Sequence, residues 1–155
     1  MRVVLSGVKA TQDFAAMLGR SFRGGEVLEL VGDVGSGKTT FTKGLAAGLG
    51  VDEDVQSPTF TISRVYTAPN GLTLHHYDFY RLPVPGIMAH DLAESTQDDR
   101  AVTVIEWGET VADVLPPRCV TVQLTNGEGE NERIICIHAP TKPMEEAYAA
   151  WTQNR

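Results

Sequence analysis

The spacing of apolar residues changes along this chain, and each change predicts an element. Phe14, Met17 or Leu18, and Phe22 recur at helical intervals, so 11–22 reads as a one-sided helix that Thr11 caps and Arg23-Gly24-Gly25 ends. The run Val27-Leu28-Glu29-Leu30-Val31 predicts a strand over 26–31. From Lys38 onward, Phe41, Leu45 and Leu49 fall on one helical stripe, which Gly48 and Gly50 close. Residues 60–66 and 72–77 read as strands around the turn Ala68-Pro69-Asn70-Gly71, so a hairpin is expected. Pro83, Pro85 and Gly86 punctuate the next stretch, and 87–95 reads as a short helix. Ala101-Val102-Thr103-Val104-Ile105-Glu106 is a nearly continuous β-branched run, the pattern of a strand buried on both faces. A second hairpin, 118–124 with 133–138, surrounds the loop Asn126-Gly127-Glu128-Gly129-Glu130. Met144, Ala147, Tyr148 and Trp151 mark a last amphipathic helix.

Between the predicted strand 26–31 and the helix from Lys38 stands Gly32-Asp33-Val34-Gly35-Ser36-Gly37-Lys38-Thr39, which fits G-x-x-x-x-G-K-[ST]. The chemistry demands a backbone that turns its N–H groups inward around phosphate oxygens, and Gly32, Gly35 and Gly37 allow that conformation and close approach. Lys38 brings a mobile positive charge for the β- and γ-phosphates, Thr39 offers a hydroxyl to Mg²⁺, and the helix points its positive end at the same anions. Asp33, Val34, Gly35, Ser36, Gly37, Lys38, Thr39 and Thr40 are therefore the expected nucleotide-binding set. Helices alternating with strands early, and hairpins later, predict one P-loop NTPase-like domain over 1–155: a three-layer α/β fold whose mixed sheet carries antiparallel hairpins and is flanked by helices.

At 155 residues there is no room for a separate substrate domain. A net charge of −7 argues against autonomous nucleic-acid binding, DNA included, because such binding needs a basic surface. No apolar run approaches the ~20 residues of a membrane span, and Met1-Arg2-Val3-Val4-Leu5 is too short for a signal peptide, so a cytoplasmic protein is expected. Cys119 and Cys136 read as buried free thiols within separate strand-like runs.

A P-loop needs an acidic anchor for Mg²⁺, usually at the C-terminal end of a buried strand. Glu106 ends the run 102–105 and is the better match, although Asp is commoner at that place. Asp78 is the second candidate, and alternation puts it on one face with Leu72, Leu74 and His76. Either acid could instead be an ordinary strand end meeting solvent. Pro58 holds Ser57 extended and displays Thr59 on a loop, as a γ-phosphate sensor or as a plain turn. Arg81 could neutralise transition-state charge as an arginine finger or form a surface ion pair. His75 and His76 point to opposite faces, which defeats shared metal binding and makes both structural. Trp107 either packs in the core or presents a contact surface.

Together with the P-loop and Thr40-Phe41, the segments Ser57-Pro58-Thr59-Phe60, His76-Tyr77-Asp78-Phe79-Tyr80-Arg81-Leu82 and Ile105-Glu106-Trp107 resemble, in order and spacing, the TsaE (YjeE) family. The resemblance spans about 11–107. It implies a small ATPase of bacterial tRNA threonylcarbamoyladenosine (t6A) synthesis, acting with TsaB-like and TsaD-like partners that modify adenosine 37, and meeting tRNA only through them. It further implies that Lys38 binds phosphate, Thr39 and Glu106 hold Mg²⁺, Asp78 is needed for hydrolysis, Thr59 belongs to a switch-like loop, and Thr11 and Arg133 lie near the nucleotide. The chain departs from the family pattern over 82–96, where Pro83-Val84-Pro85-Gly86 replaces the start of an acidic, Leu-rich helix.

Two rival readings use the same P-loop. A small-molecule or nucleotide kinase usually needs an Arg-rich closing segment, and between Leu82 and the strand at 101 the sole arginine is Arg100. A nucleotide-gated timer resembling a small GTPase lacks its N-K-x-D element, since Thr141-Lys142-Pro143-Met144 does not match, which favours ATP.

Overall fold

The computed structural model describes residues 1–84 and 86–154; Pro85, expected to punctuate the stretch before the third helix, lies outside the described residues. The chain runs β1 (Arg2–Ser6), α1 (Gly7–Ser21), β2 (Val27–Val31), α2 (Lys38–Leu49), β3 (Ser63–Thr67), β4 (Thr73–Asp78), α3 (Ile87–Gln97), β5 (Ala101–Glu106), a 3₁₀ turn (Gly108–Val111), β6 (Val120–Asn126), β7 (Glu132–His138) and α4 (Lys142–Gln153). Seven strands form one sheet in the order β1-β7-β6-β2-β5-β4-β3. The four inner strands β6, β2, β5 and β4 are parallel, β7 and β3 run opposite to them, and the edge strand β1 pairs antiparallel with β7 and so points the same way as the inner four. This is the expected mixed sheet with antiparallel edges. All six residues of β5 are buried, as its β-branched run predicts.

The two faces of the sheet carry separate apolar layers. Leu28, Leu30, Leu74, Val102, Val104, Val122 and Leu124 pack under α1, α2 and α4 through Phe14, Leu18, Phe41, Leu45 and Met144. On the other face Val27, Tyr77, Phe79 and Ile105 meet Leu92 of α3 and Val111 of the 3₁₀ turn. The Tyr77 hydroxyl donates to Asp91 at 2.8 Å, tying α3 to β4, and burial pushes that hydroxyl well above its ordinary pKa. Among the described residues no helix is long and apolar enough to cross a membrane.

Several local expectations are corrected. Residues 2–6 form an edge strand paired with β7, so the chain turns at Gly7 (φ 89°) and α1 begins there. Thr11 is consequently inside α1 rather than at its cap, its Oγ1 donating to the Gly7 carbonyl at 3.3 Å. β3 begins at Ser63, not Phe60, because the Thr61 and Ile62 amides both fold back onto the Pro58 carbonyl and Ile62 takes a positive φ of 69°. Both cysteines are half-buried rather than buried; Cys119 immediately precedes β6, and burial pushes its thiol up to about 11.

Gly50 closes α2 in the left-handed conformation, but Gly48 lies within the helix. Gly44 and Gly48 face α1 so closely that a Cβ would strike the Gln12 or Ala16 carbonyl. Their lack of side chains lets α2 settle against α1, which fixes where its N-terminus emerges. Gly48→Ala should lower the urea-unfolding free energy by about 1–3 kcal/mol through this backbone overlap, despite alanine's better helix propensity; an unchanged or higher midpoint would show that the helices separate freely.

Candidate active site

β2 leaves the centre of the sheet at Val31, and Gly32 to Gly37 carry the chain into α2. Gly35 and Gly37 adopt φ values of 81° and 103°, and the Ser36 amide closes the turn on the Asp33 carbonyl at 3.0 Å. A Cβ on Gly35 would meet nothing within 4 Å, so the space beside the loop at that residue is open. α2 starts at Gly37 with no capping side chain and no acid in its first turn, leaving its first amides and positive dipole end uncompensated. Lys38, 7% exposed, donates from Nζ to the Gly32 and Asp33 carbonyls at 2.7 and 2.9 Å. One of its three donors remains for an anion. Its ammonium stands 5.1 Å from the centre of the Trp107 ring, within cation–π range.

The loop opens onto a cleft of about 460 Å³ lined also by Asp78 and Glu106. The register of β4 on β5 pairs these two residues at adjacent strand ends. Both are nearly fully buried, at 4% and 3% exposure. Asp78 Oδ1 accepts the Tyr80 amide at 2.9 Å and Oδ2 accepts the Thr59 hydroxyl at 3.1 Å, which itself lies 2.6 Å from Ser57 Oγ. The carboxylate is held at both oxygens by the segments on either side of the cleft mouth. Glu106 Oε1 lies 3.0 Å from His76 Nε2.

The cleft is lined by the predicted residues Thr11, Val34, Gly35, Gly37, Lys38, Thr39, Thr40, Thr59, Asp78, Arg81, Glu106 and Arg133. Arg81 lies 5.1 Å from the Phe60 ring centre, so it stacks on an exposed aromatic at the rim. Arg133 Nη1 donates to the Glu132 carbonyl at 2.9 Å. Asp33 and Ser36 line a second depression of about 450 Å³ that shares Trp107 as a wall. Trp107 takes a left-handed φ of 56° and packs 4.8 Å from Tyr80, so it borders both spaces while its half-buried ring rests against the second apolar layer. Arg100 is far from the cleft, binding the Gly71 and Asn70 carbonyls at the opposite strand ends.

Sequence reasoning missed His76, Tyr80 and the pair Gly7 and Asn131, which also bound the cleft or its acids. A signal existed for His76 alone: it stands two positions before Asp78 on a strand and so shares its face. Gly7 and Asn131 meet only through the Gly7 amide on the Asn131 carbonyl at 2.8 Å, a contact between distant parts of the chain.

A phosphate-type loop rising from the central parallel strand, with acids ending the next two strands, β5 and β4, defines a P-loop α/β protein. The family model described as "Threonylcarbamoyl adenosine biosynthesis protein TsaE" matches residues 5–135. The tRNA threonylcarbamoyladenosine biosynthesis protein TsaE of Treponema pallidum is 42% identical over 124 residues, which cover 80% of this chain and 90% of that protein. Its namesake from Bacillus subtilis is 36% identical over 130 residues, covering 83% and 79%. The crystal structure of Bacillus subtilis YdiB matches with a TM-score of 0.75 and 29% identity over 99% of this chain and 95% of that one. The chain belongs to the TsaE family.

The second depression is acidic. Burial, and secondarily the charge of Glu109, raise the pKa of Glu29 on its floor. A raised native pKa means the folded state binds the Glu29 proton more tightly than the unfolded chain does, so stability falls as pH rises above the ordinary carboxylate range. Glu29→Gln should therefore raise the thermal midpoint relative to wild type at pH 7 and lose most of that advantage at pH 4. Equal differences at both pH values would remove ionisation as the cause.

Proposed function

We propose that this chain binds and hydrolyses ATP with Mg²⁺ in the cleft above α2, in the cytoplasm, and that the cycle serves t6A formation on tRNA by acting on TsaB-like and TsaD-like partners. The observation that carries the reading is the convergence of Lys38, Thr39, Asp78 and Glu106 on one cleft at an uncapped helix N-terminus. The pathway rests on the family and on the printed names of its relatives.

The residues present fit both groups. The open, glycine-turned loop and the free amides of α2 suit a polyphosphate. Thr39 and Glu106 supply the hard oxygens that Mg²⁺ takes. Among the described residues no cluster of three or more His, Cys, Asp or Glu forms a cage of its own, in keeping with a cation that shares its shell with phosphate and water. When bound, Mg²⁺ neutralises charge on the phosphate oxygens.

The chain's own residues then have distinct tasks. Lys38 directs its remaining donor to phosphate. Thr39 and Glu106 hold the cation. Asp78, fixed at both oxygens, retains lone pairs that orient an attacking water and accept its proton. Thr59 is the hinge of this arrangement, because its hydroxyl links Asp78 to the 57–60 loop, whose Ser57 and Phe60 are exposed. A partner that presses on this loop changes the placement of Asp78, which supports slow intrinsic turnover and stimulation on assembly.

Phosphate release from Mg-ATP should rise when TsaB-like and TsaD-like partners and tRNA are added, and t6A should form beyond one cycle only with this chain present. A rate indifferent to the partners would overturn the reading and direct the search to phosphate acceptors. Asp78→Asn should keep Mg-ATP affinity within about threefold while lowering turnover at least about 100-fold. Lys38→Ala and Glu106→Ala should instead weaken binding, and wild-type turnover in Asp78→Asn would eliminate the role given to that carboxylate.

A further inference from the structure

His76 is fully buried, with Leu74 two positions before it and Asp78 two positions after it on the same face of β4. Its Nε2 lies 3.0 Å from Glu106 Oε1, and its Nδ1 has no hydrogen-bond partner. A carboxylate oxygen accepts, so Nε2 is the donor of this contact, and Nδ1 is left without a partner. Stability alone does not account for the pair. Burying a carboxylate and an imidazole costs desolvation that two packed apolar side chains would avoid.

We propose that His76 is a positioning residue for the divalent-cation ligand: its Nε2–H engages Oε1 of Glu106, locks that side chain's rotamer, and leaves Oε2 as the oxygen for the cation. The inference rests on the Mg-ATP reading above, with Glu106 as cation ligand. Buried partners of metal ligands typically govern affinity for the ion by 10–100-fold. The effect should therefore appear in cation-dependent binding and be absent from cation-free binding.

The test is calorimetric titration of the full chain with a non-hydrolysable ATP analogue, once with Mg²⁺ and once with EDTA. His76→Ala should lose at least about tenfold of the affinity in Mg²⁺ and change little in EDTA. His76→Gln, whose amide nitrogen reaches the place of Nε2, should restore most of the loss. His76→Asn, which fills the same hole but reaches only the place of Nδ1, should not. In a Glu106→Gln background His76→Ala should have no further effect on the Mg²⁺ dependence. Should the alanine variant fail to fold, the contrast between Gln and Asn decides the matter alone. Equal losses with and without Mg²⁺, or Gln and Asn behaving alike, would reduce His76 to a packing residue and overturn the inference. Wild-type binding that is indifferent to Mg²⁺ would overturn the cation reading itself, and the inference with it.

Discussion

The lateral register of β5 is the constraint on which the cleft depends. β5 lies between β2 and β4, parallel to both, with Leu30 and Asp78 each opposite Glu106. A shift of one residue would turn every β5 side chain to the other face, sending Glu106 away from α2 and Ile105 toward it. The two apolar layers forbid that shift, because Val102 and Val104 fill one and Ile105 the other. Packing thus places a buried acid beside the phosphate-type loop, and the cost of burying it is met locally by His76.

Charge is arranged at the same scale. The chain carries a net charge of −7, yet the cleft gathers Lys38, Arg81, Arg133 and the positive end of α2. Under the proposed function these nearby cations, with a divalent cation set against Asp78 and Glu106, act on the nucleotide at contact distances, where a screened and distant negative surface counts for little. The same surface repels a polyanion as large as tRNA, which is why the proposed function gives tRNA to the partners.

Much of this was legible in the sequence because its causes are local. The P-loop is a contiguous set of dihedral and donor requirements, and β5 announces its burial through an unbroken β-branched run. The hairpin of β3 and β4 follows from the turn Pro69-Asn70-Gly71. The features that escaped have distant causes. β1 is a strand only because β7, some 130 positions later, supplies its hydrogen bonds, and β1 in turn moved the start of α1 from Thr11 to Gly7. The contact of His76 with Glu106 spans two strands 30 positions apart, and no pattern within either strand encodes it. In the sequence Trp107 is open between core packing and a contact surface, and the positive φ at its own position is what sets it at the wall between two depressions.

An exposed aromatic at the rim of the site is tied to its polar groups. Phe60 is 86% exposed, yet it carries Arg81 on its ring, and its neighbour Thr59 holds Asp78. The loop 57–60 therefore touches Asp78 through one side-chain hydrogen bond and Arg81 through one exposed stacking contact, interactions worth on the order of 1 kcal/mol each. Side-chain contacts of that size are small enough for a docking surface to reset, while the Thr61 and Ile62 amides keep the backbone turned on the Pro58 carbonyl. The rigid half of the site, built on β2, β5 and α2, suits holding a nucleotide, and the loosely held half suits control of its hydrolysis. Under the proposed function that division lets the chain bind ATP by itself and leaves the timing of turnover to whatever covers Phe60.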